Sequence, residues 1–229
     1  MHTASMLLIH FEPYYIMNAF LVLAGMFILF VSFLHFNSPK MKIKKAFKDL
    51  KNKRVQLAKE NEYFKVIGNA STLDQNTLTS PLGKKKCVYY QVHITQRIGN
   101  ALKTIVKEEK CVDFIVESYR EKAIIKADVD TMHKKVHLIE HLKQQSNIKM
   151  TASKEFEDYL NSYGKSTKNT VNTIRYDEAC IEIGQKIAVA GIAHWIESDH
   201  KLDQYSSKNL QISGDKNKKL LITNDSRVF

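Results

Sequence analysis

The hydrophobic pattern of the chain has three parts, and the first is one long apolar stretch. Residues 14–36 contain no Asp, Glu, Lys or Arg. At about 1.5 Å of rise per residue, a helix over this stretch covers roughly 34 Å, more than a hydrocarbon core of about 30 Å. The pattern predicts a single transmembrane helix at 14–36 after a short N-terminus, residues 1–13. A cleaved signal peptide fits less well, because residues 1–13 carry no Lys or Arg and signal peptides begin with a basic region.

The second part, residues 37–61, is basic and has a helical period. Apolar residues recur at helical spacings from Ile43 to Leu57, which predicts an amphipathic stalk helix over 40–60. Either this helix lies on anionic lipid or its charges are simply solvated; both interpretations stay open. By the positive-inside rule, its charges place residues 62–229 in the cytoplasm and the N-terminus outside, at a bacterial inner membrane or an organelle membrane. The membrane-surface residues would be Lys40, Lys42, Lys44, Lys45, Lys48, Lys51, Lys53 and Arg54.

The third part, residues 62–229, is a series of short runs rich in Val, Ile, Tyr and Phe, which is typical of strands. One segment, 153–164, has helical spacing instead, with Ser153 placed to cap its start and Gly164 its end. Many short strands with one helix predict a mainly β (α+β) domain, a small β-barrel or sandwich with an inserted helix. The predicted strands are 64–68, 87–95, 111–118, 123–129, 136–141, 178–183, 186–196, 209–213 and 220–224.

Composition changes this picture only slightly. The net charge is +11, but residues 37–65 hold ten Lys or Arg against three acidic residues, whereas 66–229 hold 25 against 20. The β domain is thus only mildly basic, which is weak support for nucleic-acid binding. Three cysteines without a Cys-x-x-Cys pair exclude a disulfide framework and a Cys-rich zinc module.

Several residues of the β domain have identifiable local roles. Ser80-Pro81 suits an extended turn, because proline fixes φ and restricts the residue before it. Gly184 is placed to reverse 178–183 into 186–189 as a hairpin, and Gly191 suits a bulge or a close backbone approach. Arg175 and Glu178 could pair at the start of that hairpin. The run from Cys87 to Tyr90 alternates between two strand faces. Packing explains the run, and recognition by Tyr89 or Tyr90 is the alternative.

Three pieces of sequence, in order, resemble the GIDE domain family. They are FKVIGNA leading into LTSPLGKKKCVYYQVHI (64–94), the helix near 153–163, and RYDEACIEIGQKIAVAGIA (175–193). The resemblance covers about residues 62–213, and its motif positions are Ser80, Pro81, Leu82, Cys87, Val88, Tyr89, Tyr90, Arg175, Glu178, Gly184 and Gly191.

The resemblance implies a membrane-anchored protein related to mitochondrial E3 ubiquitin ligases. Eukaryotic members carry this domain between two transmembrane helices and before a RING finger. This sequence has no second apolar span and no RING zinc ligands, so a conjugating enzyme or RING protein would have to supply the ubiquitin-protein transferase activity. It also has no glycine over 114–122, where the family shows an Asp-x-x-Gly-like turn.

Candidate chemistry outside the resemblance is sparse. His133, His137 and His141 are spaced by four, but only Glu140 accompanies them, so a solvated face is favoured over a metal site. Cys180 and His194 could form a thiol nucleophile and its base, although a small buried side chain is the commoner role of such a cysteine. A nucleic-acid-binding surface would use Tyr89, Tyr90, Lys84, Lys85, Lys86 and Arg97.

The sequence therefore predicts a single-pass membrane-anchored interaction or sensing protein without intrinsic catalysis. It predicts no catalytic residue, no metal and no cofactor. Its expected partners are membrane lipid and another protein. The alternatives are an E3 ubiquitin ligase-like role and, least favoured, a nucleic-acid-binding barrel at the membrane.

Overall fold

The computed structural model describes residues 13–36, 39–130, 132–146, 152–167, 173–197 and 208–229. The chain separates into two compact units, which meet in sequence between Lys45 and Ala46. The described α-helices are α1 (Pro13–Phe36), α2 (Pro39–Lys48) and α3 (Lys154–Ser162). The described strands are β1 (Tyr63–Thr72), β2 (Leu78–Thr79), β3 (Lys86–Ile98), β4 (Ala101–Cys111), β5 (Phe114–Ser118), β6 (Glu121–Ile125), β7 (Lys134–His137), β8 (Leu142–Ser146), β9 (Ile174–Glu182), β10 (Lys186–Glu197), β11 (Lys208–Ser213) and β12 (Leu220–Thr223).

The first unit contains helix α1, which covers the predicted membrane segment. Among the residues that the structure describes, no helix has both the length and the apolar character needed to cross a membrane. By this finding the transmembrane helix predicted at 14–36 is wrong, and so is the single-pass localisation with its outside N-terminus and cytoplasmic domain.

The predicted stalk helix is also shorter than expected. α2 ends at Lys48, and the chain then runs along β1, where Asn52 bridges Lys65. A short 3-10 helix, Val55–Leu57, follows. The helical period fails here because the backbone finds partners elsewhere: the Lys53 amide donates to the Lys65 carbonyl at 2.9 Å. Tertiary hydrogen bonds have overridden the local pattern.

The second unit contains a closed ring of five strands, the ring sheet. Its order is β1-β5-β6-β11-β10, and β10 returns to pair with β1. All contacts around the ring are antiparallel except β6 with β11. β12 pairs with β10, and β7 pairs with β12, so these two strands extend the sheet beyond the ring. Apolar side chains from alternate strand positions fill the interior, including Val66, Val116, Ile125, Val189 and Ile212.

A second sheet, the open sheet, is built from segments inserted between the ring strands. Its strands pair in the order β2-β3-β9-β8. β4 also pairs with β3, along a later stretch of β3 than the one that pairs with β2. α3 packs on one face, where the Phe156 ring stacks on Tyr176 with centroids 3.9 Å apart. The predicted helix is confirmed, since Ser153 caps it by accepting the Phe156 amide at 3.2 Å. Gly164 follows in the left-handed region.

The predicted fold class is therefore corrected. The prediction was a transmembrane helix, a stalk helix and a β domain with one inserted helix. The chain is mainly β, with a closed five-stranded ring and a second, half-open sheet. The hairpin predicted around Gly184 is wrong as well, because β9 belongs to the open sheet and β10 to the ring. Gly184 has φ +83 and turns the chain from one sheet into the other.

Candidate functional site

The buried carboxylate of Glu178 joins two of the sequence motifs. Glu178 lies on β9 and is fully buried. Its Oε1 accepts hydrogen bonds from Ser80 Oγ at 2.8 Å and from the Gly83 amide at 2.8 Å, and its Oε2 accepts the Leu82 amide at 2.7 Å. The carboxylate thus ties the turn between β2 and β3 to the centre of the open sheet. The predicted pair with Arg175 does not form, because Arg175 is exposed and Glu178 faces this turn.

His141 connects this carboxylate to a cysteine. Its Nε2 lies 3.0 Å from Glu178 Oε1, and its Nδ1 lies 3.7 Å from Cys180 Sγ. A carboxylate oxygen only accepts hydrogen bonds, so Nε2 carries the proton that bonds Glu178. In the neutral ring Nδ1 is then the acceptor, and it faces the Cys180 thiol. This order of carboxylate, imidazole and thiol is the arrangement that activates a cysteine nucleophile.

A second thiol completes what we call the thiol cluster: Cys87, His141, Glu178 and Cys180. Cys87 and Cys180 lie on the neighbouring strands β3 and β9, both buried and both reduced. A hydrogen bond from Cys180 lowers the pKa of the Cys87 thiol, and the same bond together with burial raises the pKa of Cys180. The first proton lost from this pair therefore leaves a thiolate that the remaining thiol stabilises.

The thiol cluster borders a cavity of about 500 Å³. Cys180 and His141 contribute to its wall together with Gln185 and Arg227. The volume lies within the range of small-molecule sites. Cys180 is thus the thiol of the pair that a small reagent would meet first, with Cys87 behind it.

A different feature lies at the turn between β5 and β6. Ser118 pairs with Glu121, so Tyr119 and Arg120 form a two-residue turn, here called the hairpin tip. Both have positive φ, 51° and 68°. Such turns favour Asn-Gly or Asp-Gly, because other L residues are strained in the left-handed region by roughly 1–2 kcal/mol each. Tyr119 is 76% exposed, and within the described part of the chain neither side chain makes a hydrogen bond or ion pair.

Other motif positions have structural places. The run from Cys87 to Tyr90 is buried at all four positions. This burial agrees with the packing interpretation of the run. Tyr89 and Tyr90 therefore present no ring for base stacking, and the nucleic-acid alternative loses its aromatic surface. Pro81 sits in the turn held by Glu178, and Gly191 is a close approach, since a Cβ there would lie 2.5 Å from the Ser213 carbonyl oxygen.

The histidines considered as metal ligands and as a base for Cys180 do not come together in the fold. The His133 carbonyl accepts from Leu220, His137 lies 4.0 Å from Asp225, and His141 bonds Glu178. In the parts of the chain that are described, no group of three or more His, Cys, Asp or Glu could hold a metal ion. His194 bonds Glu60 rather than Cys180. The base beside Cys180 is His141, which the sequence offered only as a member of the histidine spacing.

The candidate membrane-surface residues differ in exposure, and two of them form ion pairs. Lys53 donates to both oxygens of Glu62 at 2.7 Å, and Arg54 pairs with the buried Glu121. Lys42, Lys45, Lys48 and Lys51 are exposed, Lys44 is half-buried, and the Lys40 side chain lies outside those described. The two paired residues hold the segment after α2 against the ring sheet.

Sequence reasoning missed one buried polar network. Lys134 Nζ donates to Cys111 Sγ at 3.0 Å and to the Ala127 carbonyl at 3.1 Å, and it pairs with Glu109 at 3.3 Å. Burial opposes the charge, but the Cys111 and Glu109 contacts leave the pKa of Lys134 raised. Burial raises the pKa of Cys111. All members have partners, which indicates a structural role.

Comparison with known proteins gave no match: no family model fits the chain, and no curated protein or solved structure is similar to it. Nothing in the comparisons supports the GIDE-domain or E3 ubiquitin ligase assignments that followed from the motif resemblance, and these assignments are withdrawn.

Proposed function

We propose that this chain is an interaction module that binds a partner protein through the hairpin tip. The observation that carries the proposal is the pair of non-glycine residues in left-handed conformations, Tyr119 and Arg120. Strain of this kind persists where a side chain serves a purpose other than folding. Asn and Gly would relieve it, so the fold alone does not explain Tyr and Arg at these positions.

The chemistry of the tip fits a protein contact. Tyr and Arg are enriched among the residues that dominate binding energy at protein interfaces. Tyr119 offers a rigid ring of large area, and Arg120 offers a planar group that binds a carboxylate through two hydrogen bonds. The partner surface expected from this pair is an apolar pocket for the ring with an acidic residue at its edge.

The surroundings of the tip hold these side chains outward. β5 and β6 pair along their whole length from Phe114–Ile125 to Ser118–Glu121, which fixes the direction of the turn. Glu121 is fixed in turn by Arg54 Nε at 2.8 Å and by the Gln56 amide at 3.1 Å. A contact surface on a rigid hairpin loses little entropy on binding.

The proposal is tested by photo-crosslinking in cells that express the chain. A benzophenone amino acid replaces Tyr119 in one variant and, as a matched control, replaces Leu102, which is 56% exposed close to the β3–β4 turn. We expect one discrete protein adduct at 119, its loss when Arg120→Glu is added, and its absence at 102. The same adducts at both positions, or an adduct unaffected by Arg120→Glu, would refute the proposal.

A further inference from the structure

The thiol cluster carries an inference that is independent of the hairpin tip. Both thiols sit on adjacent paired strands: Cys87 is opposite Glu182, and Cys180 is opposite Tyr90. The register shifts between Cys87 and Tyr89, so β3 has an irregularity beside the pair. Cys87 Sγ also reaches the Leu78 carbonyl at 3.7 Å, on β2. Cys87 and Cys180 therefore lie diagonally across β3 and β9, in one buried cluster that Leu78 of β2 packs against.

We propose that Cys87 and Cys180 form an oxidisable dithiol site that a small peroxide reaches through the cavity beside His141. The cavity wall includes Cys180 and His141, which gives the reagent access to the thiol that has a base. His141 Nδ1 lies 3.7 Å from Cys180 Sγ, and Glu178 holds the ring through Nε2. General bases of this kind act on a thiol within or slightly beyond hydrogen-bond distance.

The reaction balances with hydrogen peroxide as the oxidant. His141 Nδ1 takes the Cys180 thiol proton in the same step in which the sulfur attacks one peroxide oxygen, so the free Cys180 thiolate that its raised pKa disfavours does not have to form. The O–O bond breaks, Cys180 becomes a sulfenic acid, and the departing hydroxide takes the proton from His141 to form water. Cys87 sulfur then attacks Cys180 sulfur, the S–O bond breaks, and the hydroxide leaves as water with the Cys87 proton. Two thiols are oxidised by two electrons, and one peroxide is reduced to two waters.

The disulfide changes the site that Glu178 organises. Residues diagonal across neighbouring strands have Cα atoms about 7–8 Å apart, whereas disulfides usually span about 4.4–6.8 Å. Forming the bond must therefore draw β3 towards β9 at the irregularity next to Cys87. The turn that contains Ser80 and Gly83 leads directly into β3 and is joined to β9 through Glu178, so it is the element expected to move.

The test uses the full chain, reduced and then treated with hydrogen peroxide. Free thiols are blocked with N-ethylmaleimide, and peptides are mapped by mass spectrometry. We expect three reactive thiols after unfolding of the untreated protein and one, Cys111, after oxidation, with a Cys87–Cys180 linked peptide. Cys111→Ser is the matched control and should form the same link at the same rate.

Three further variants separate the chemistry from the fold. Cys87→Ser and Cys180→Ser should each abolish the link, and each is checked for an unfolding midpoint like that of the parent chain. His141→Gln keeps a donor for Glu178 but removes the base, and should slow oxidation by about 100-fold. Three free thiols after peroxide, a link that includes Cys111, or an unchanged rate in His141→Gln would overturn the proposal.

Discussion

Glu178→Gln tests whether one carboxylate organises the centre of the open sheet. In the parent chain Oε1 accepts from Ser80, Gly83 and His141, and Oε2 accepts the Leu82 amide. The amide group of glutamine keeps one acceptor oxygen and replaces the other with a donor. With its oxygen placed towards the three donors, its nitrogen faces the Leu82 N–H, and two donors oppose each other.

The magnitude follows from these contacts. The part-buried Leu82 amide is left without its acceptor, which costs about 1–3 kcal/mol. The remaining bonds lose the assistance of the charge, and neutral hydrogen bonds are roughly half as strong as charged ones. Together these effects predict a loss of about 3 kcal/mol in the free energy of unfolding.

Urea denaturation at neutral pH measures this loss directly. The matched control is Glu182→Gln on the same strand, where the carboxylate is 42% exposed and pairs with Lys85. An exposed pair contributes about 0–1 kcal/mol, so the control should change stability by less than 1 kcal/mol. Equal effects of the two substitutions, or a loss below about 0.5 kcal/mol at Glu178, would refute the organising role of this carboxylate.

Two other predictions concern how the sheets hold their neighbours. Desolvation opposes the charge of Glu108, but hydrogen bonds from Tyr159, Lys110 and Tyr90 lower its pKa to about 2. The charged carboxylate of Glu108 contributes stability above the unfolded pKa near 4.5, and this stability is lost as the pH falls through about 2. Tyrosine absorbance should therefore report α3 packed at about pH 4 and released near pH 2. Release that is already complete at about pH 4 would contradict this. Gly68→Ala places a Cβ 2.3 Å from the Glu117 backbone oxygen, in the ring sheet. This clash should lower the free energy of unfolding by more than about 2 kcal/mol. A change below about 0.5 kcal/mol, measured by thermal unfolding, would exclude the steric effect.

The strands rich in Val, Ile, Tyr and Phe were predictable, and the sheets to which they belong were not. The segments at 64–68, 87–95 and 186–196 match β1, β3 and β10. β4 was missed because its apolar residues come in adjacent pairs, Ala101-Leu102 and Ile105-Val106, between polar and charged residues, so it lacks the alternation of a strand. Gly184 looked like a hairpin turn, but no local signal shows that the strands on either side enter different sheets. That choice depends on the long-range pairing of β9 with β3.

The candidate sites were predictable only in part, for the same reason. Ser80 and Glu178 stood out as separate motif positions, yet 98 residues separate them, and only the fold brings them to 2.8 Å. His194 is nearer than His141 to Cys180 in sequence, but it faces Glu60. The hairpin tip left one trace, the absence of glycine over 114–122. This absence became informative only with the backbone structure, which shows positive φ values at Tyr119 and Arg120.

The most direct test of the central claim is the stability of Tyr119→Asn combined with Arg120→Gly. Relief of strain is about 1–2 kcal/mol at each position, and the added freedom of glycine in the unfolded chain returns about 0.4–1 kcal/mol. The account predicts that the free energy of unfolding rises by about 2 kcal/mol while the partner identified by crosslinking no longer co-purifies with the chain. An unchanged or lower free energy of unfolding would show that Tyr119 and Arg120 serve the fold, and it would contradict their assignment as contact residues.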